Sequence, residues 1–142
     1  MQIGGLTIAA LPSAHNEIER DENGNPKCLG FLLRTNSWCI YHSGDTLVYP
    51  GLMERLKVEN VDVAFLPING NRPERRVAGN MNGTEAARLA FEAGVKLVIP
   101  HHYHLFEFNT EEPDEFEAEC QRLGQRFRTL RLGERVILEQ GG

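Results

Sequence analysis

A chain of 142 residues has room for one hydrophobic core, and a net charge of -5 leaves no basic excess for releasing counterions from a nucleic-acid backbone. With 41% hydrophobic and 25% charged residues the balance is that of a soluble globular domain, and no apolar run approaches the roughly 20 residues of a membrane span. Cys28, Cys39 and Cys120 are odd in number and scattered, which predicts reduced thiols in a cytoplasm, and Met1 to Gly5 lack the basic-then-apolar pattern of a signal peptide.

One domain, residues 1–142, is expected. Leu6 to Leu11 reads as a strand. Asn16 to Lys27 is polar and ends in Asn23-Gly24-Asn25-Pro26, which is loop chemistry. Cys28 to Arg34 and Trp38 to Tyr41 read as antiparallel mates around a turn at Thr35-Asn36-Ser37. Pro50 to Lys57 predicts a short helix with Leu52, Met53 and Leu56 on one face. Val61 to Leu66 is a strand, and Pro67 to Met81 a long loop. Thr84 is placed as the cap of a helix that runs to Glu92 and stops at Gly94. Val95 to Ile99 is the next strand. Pro113 opens a helix with an inner face of Phe116, Cys120 and Leu123 and a stop at Gly124; Phe106 and Phe108 are placed in the core beneath it. Phe127 to Leu132 and Arg135 to Leu138 read as closing strands around a Gly133-Glu134 turn. Strands first and strand–helix alternation later predict an α/β layer on a mixed sheet, with a βαβ unit over 61–99.

Three apolar strands each deliver a metal-capable side chain just past their ends. Leu6 to Leu11 leads to His15, Trp38 to Tyr41 leads to Asp45, and the strand ending at Ile99 leads to His101-His102. Sites in open sheets collect at the carboxyl ends of strands. His15, Asp45 and His102 match the three-donor count of a catalytic zinc site, where a bound metal makes hydroxide available at neutral pH. Donors of this type accept zinc, manganese or iron. A lone histidine is ordinarily a surface or hydrogen-bonded residue, the role expected of His101 and His104, and His42 is expected to orient a neighbour. Aspartate after Ser-Gly is also a common turn former. For substrate, Asn69-Gly70-Asn71 with Arg72, Arg75 and Arg76 offers anion donors, with Asn80 and Tyr103 as further lining residues. The same arginines could instead make surface ion pairs.

Tyr41-His42-Ser43-Gly44-Asp45-Thr46 resembles the Gly-Asp-Thr motif of metallo-β-lactamase-superfamily hydrolases, which implies a metal-bridging role for Asp45. Ile99-Pro100-His101-His102-Tyr103 is similar to that superfamily's last ligand motif, Pro-x-His-Tyr, and implies His102 as the ligand. Pro12-Ser13-Ala14-His15 is similar to the segment of its third-motif histidine. More narrowly, Leu66 to Asn71, Gly79-Asn80-Met81, Glu85-Ala86-Ala87 and Phe106 through Asn109 to Pro113 and Phe116 resemble the L-ascorbate-6-phosphate lactonase branch. That branch implies a small lactone or ester substrate, such as a phosphorylated sugar lactone.

The family signature His-x-His-x-Asp-His, which supplies four ligands there, does not occur in this sequence. The resemblance therefore implies an α/β fold that is the C-terminal half of a four-layer αββα sandwich, a mixed sheet with helices on one face. The uncovered apolar face predicts a homo-oligomer, or a partner supplying the N-terminal half. A non-catalytic half-fold acting as a metal-binding or protein-interaction module is the alternative.

Overall fold

The computed structural model describes residues 1–138. Six strands form one sheet in sequential order: β1 (Gln2–Ile3), β2 (Leu6–Pro12), β3 (Leu29–Arg34), β4 (Cys39–His42), β5 (Val63–Pro67) and β6 (Leu97–His101). β1 to β4 pair antiparallel, whereas β4, β5 and β6 pair parallel. The two parallel pairings need crossovers, supplied by helix α1 (Leu52–Glu59) and helix α2 (Gly83–Glu92). Helix α3 (Asp114–Leu123) then packs on α2. The sheet is mixed, and the βαβ unit stands as expected.

Local chemistry explains the boundaries. Thr35 Oγ1 accepts from the Ser37 and Trp38 amides and closes the β3–β4 hairpin. At the start of α2, the Asn82 side chain accepts from the Glu85 amide while Glu85 reaches back to the Asn82 amide. The helix is thus capped by Asn82 and not, as expected, by Thr84. The reciprocal box satisfies two orphan amides where a lone threonine would satisfy one. The Thr84 hydroxyl instead donates to Glu115 at 2.6 Å and ties α2 to α3.

Strand alternation decides which side chains meet the helices. Ala9, Leu32, Tyr41, Ala64 and Val98 are in register across five strands. This row joins Leu52, Leu56, Ala86, Ala90 and Phe116 in one buried cluster. The alternate row is Phe31, His42, Phe65 and Ile99. Phe31 is 41% exposed and His42 is exposed, so this face is covered only in part among the described residues.

Tyr41 shows the cost of depth. It is fully buried, its hydroxyl has no partner among the described residues, and burial pushes its pKa up. A buried hydroxyl without a partner forfeits its hydration. Tyr41→Phe is therefore expected to raise stability by about 1 kcal/mol, read as a higher urea midpoint at unchanged slope.

Two expectations fail. Phe127 makes one isolated parallel bridge to Val98, and neither 127–132 nor 135–138 forms a strand. Glu134 binds the Arg131 amide and the Arg128 side chain locally, which holds a turn and not a ladder. Phe116 is buried, but Phe106 and Phe108 are 50% and 63% exposed. They lie on the connection before α3, outside the reach of its inner face.

Candidate metal centre

The carboxyl ends of β2, β4, β5 and β6 share one edge of the sheet, because β2 runs antiparallel to β3 and β3 to β4. Past β4 the chain turns at Ser43-Gly44. Gly44 has φ +62°, and a Cβ there would lie 2.8 Å from the Leu29 carbonyl oxygen. Glycine is required on both counts. A Cβ on Gly30 would lie 2.7 Å from the Ser43 carbonyl oxygen, so β3 also leaves room for this turn. The turn is stitched to the exit of β2. The Ser13 hydroxyl donates to the Ser43 carbonyl at 2.5 Å, the Ala14 amide to Thr46 Oγ1 at 2.9 Å, and the Leu47 amide to the Ala14 carbonyl at 2.8 Å. Asp45 and His15 are thereby held on neighbouring loops.

Asp45 faces His102, with Nε2 and Oδ2 3.5 Å apart. The His102 imidazole holds the Asp45 carboxyl below its ordinary range, against the opposing effect of burial. Asp45 in turn raises the His102 pKa, again against burial. His15 and His101 act on Asp45 in the same sense as His102, through their charge. His102 adopts φ +65°, a left-handed conformation that a side chain disfavours. It is held by its neighbours: the Tyr103 hydroxyl donates to the Leu130 carbonyl, and the His104 amide donates to Thr110 Oγ1 at 2.6 Å.

Behind this pair, His101 stacks on His42 at 4.9 Å between ring centroids, and His42 stacks on Phe65 at 5.8 Å. Burial first, and then the His42 ring, push the His101 pKa down to about 4. His42 Nδ1 accepts from the Gly44 amide at 3.1 Å and so supports the turn that carries Asp45. His104 sits outside the cluster, paired with Glu112 at 2.6 Å.

As a metal site the arrangement is partial. Asp45 and His102 are a carboxylate and an imidazole that face each other. His102 Nδ1 is buried without a hydrogen-bond partner among the described residues. His15 is nearby, but its Nε2 is engaged by the Ala78 carbonyl at 3.1 Å. No group of three His, Cys, Asp or Glu among the described residues is arranged to hold a metal ion. The donors present do not by themselves complete the three-ligand set of a catalytic site.

The loop after β5 is built around a guanidinium. Arg75, with its side chain 10% exposed, donates to the Asn69 carbonyl, to the Thr110 carbonyl at 2.8 Å and to Glu111 at 2.5 Å. Asn69 is fully buried, donating to Asn109 Oδ1 and accepting from Asn80 Nδ2, both at 2.9 Å. Asn69 and Asn80 therefore meet each other and not solvent. Arg72 pairs with the same Glu111 at 2.6 Å, while Arg76 is exposed. Sequence reasoning missed Arg75, Asn109 and Glu111 as a clip between the loops that follow β5 and β6. Its contacts with Asn109, Thr110 and Glu111 span 34 to 36 positions along the chain, so no local pattern announces it.

Fold and edge cluster define an α/β protein with a carboxylate–imidazole pair at the carboxyl ends of its strands. The family model described as "Beta-lactamase superfamily domain" matches residues 1–103, and the chain belongs to that family. A UPF0173 metal-dependent hydrolase of Alkaliphilus metalliredigens is 36% identical over 135 residues, covering 85% of this chain and 55% of that protein. A counterpart from Rubrobacter xylanophilus is 30% identical over 128 residues, covering 87% and 50%. Among solved structures, Igni18, a metallo hydrolase from Ignicoccus hospitalis, superposes with a TM-score of 0.77 at 26% identity. That match covers 96% of this chain and 55% of Igni18. The chain thus spans about half the length of the relatives it matches.

Proposed function

We propose that this chain carries part of the metal centre of a metal-dependent hydrolase that opens a small lactone or ester. One observation carries the reading. Asp45 and His102 face each other at 3.5 Å on the shared strand edge, in a chain whose relatives bear the description metal-dependent hydrolase. Asp45, ionised at neutral pH, supplies charge. His102 supplies nitrogen, and His15 supplies a second imidazole once it leaves the Ala78 carbonyl. Asp45, His102 and His15 would hold part of the shell of a divalent cation (zinc, manganese or iron by donor type), which would supply Lewis acidity there. On this reading Arg72, Arg76 and the ring of Tyr103, whose hydroxyl is engaged by Leu130, would serve the substrate, and Asn69 and Asn80 would brace the loop after β5 from within. A phosphorylated sugar lactone would rely chiefly on Arg76, because Arg72 and Arg75 already meet Glu111. The setting proposed is cytoplasmic.

A second reading rests on a specific observation: no three-donor group forms among the described residues. On that reading the chain is a non-catalytic half-fold, a metal-binding or interaction module. Metal analysis separates the two. Loading with zinc, manganese or iron followed by dialysis is expected to leave about one equivalent bound, together with lactone or ester hydrolysis. A folded, metal-free and inactive chain would decide for the module.

The partly open row of Phe31, His42 and Phe65 favours a covering layer, from a second copy of the chain or from a partner supplying the remaining half. Light scattering on the pure chain is expected to give a mass near twice that of one chain. A stable, well-folded monomer would remove the dimer.

A further inference from the structure

The connection from β6 to α3 exposes three large apolar side chains beside the candidate metal centre. Leu105 is 61%, Phe106 50% and Phe108 63% exposed. The two phenylalanine rings are located by their neighbours. The Phe106 ring lies 6.1 Å from the His102 ring, tilted by 54°, and Phe108 continues the row 6.2 Å further on. The clip beneath holds this connection in place, since Arg75 binds Thr110 and Glu111 just after it.

The charges around the row argue against an anion as its ligand. Glu107 lies between the two phenylalanines in sequence, and Glu112 beyond them is paired with His104. Arg72 and Arg75 are both engaged by Glu111. What this connection sets next to the His102 ring is the apolar Phe106 ring, with Phe108 behind it. We infer that Leu105, Phe106 and Phe108 form a lip that receives an uncharged alkyl or aryl group of the substrate. This rests on the reading of Asp45 and His102 as the reacting centre, and it selects a hydrophobic lactone or ester over a sugar phosphate. A fully buried methylene strengthens binding about fourfold, and a lip open on one side gains about half of that free energy, or about twofold per carbon.

The test uses the whole chain without added metal, so that a failure of the metal reading leaves it readable. Phe106, Phe108 and His102 ring resonances are followed by NMR during titration with γ-butyrolactone, with γ-nonalactone, which adds a pentyl tail, and with glucose 6-phosphate. The tailed lactone is expected to bind roughly 30-fold more tightly than the bare ring and to move all three rings. Glucose 6-phosphate is expected to leave them unmoved. A Phe106→Ala/Phe108→Ala double variant, altered only at exposed positions, is expected to erase the dependence on the tail. Affinity independent of the tail, preference for glucose 6-phosphate, or no binding at all would overturn the lip. So would resonances that respond to protein concentration alone, because the row would then be a contact between proteins.

Discussion

Asp45→Ala is expected to abolish retention of a divalent cation and any lactone or ester hydrolysis that depends on it. Loss of a group that merely orients a ligand weakens metal binding 10–100-fold, so removal of a charged donor is expected to cost at least about 100-fold. Competition with a chromophoric chelator reads this directly. The fold should survive, because the turn is held by Ser13, Thr46 and Gly44 and not by the Asp45 carboxylate. Asp45→Asn keeps the shape and removes the charge, and it is expected to behave like the alanine variant. Either variant also removes the main influence that raises the His102 pKa, so that value should fall back towards its ordinary range in an NMR titration. Undiminished metal retention in Asp45→Ala would end the assignment of this edge as the metal centre.

Acid is expected to destabilise the protein between about pH 6.5 and about pH 4 through His101. Its folded-state pKa lies at about 4, chiefly because burial disfavours the charged ring, whereas an unfolded histidine titrates near 6.5. In that window the unfolded chain binds the proton and the folded one does not, so stability falls as pH falls. The whole interval corresponds to roughly 3 kcal/mol, a large share of a small domain's stability. His102 acts oppositely. Its pKa is raised by Asp45, so its contribution is fully present below 6.5 and is lost as pH rises through its folded value. The two windows meet, and the pair together favours a stability maximum near the ordinary histidine pKa. Urea midpoints across pH 4 to 8 should show this. His101→Leu should flatten the acid limb while leaving the alkaline one. An unchanged acid limb in that variant would show that His101 is not its source.

Much of the fold was legible because it depends on neighbours in sequence. The hairpin around Thr35, the crossover helices and the parallel strands they join follow from local periodicity, turn residues and stops. The run into Ser43-Gly44-Asp45 marked a turn that only glycine can make, and the structure adds why, in the approach of Leu29. The C-terminal segment misled for the opposite reason. Phe127 to Leu138 has strand-like composition, but a strand exists only where a neighbouring backbone accepts it, and Val98 offers a single bridge.

The residue types at the strand ends determined the chemistry on offer: a carboxylate, imidazoles, and glycine where the chain must fold back. Distances belonged to the tertiary structure alone. It put His102 against Asp45, tied His15 to Ala78, and spent Arg72 and Arg75 on Glu111 while leaving Phe106 and Phe108 in the open. Side-chain partners tens of residues apart are chosen by how layers pack, and no spacing along the chain encodes that choice.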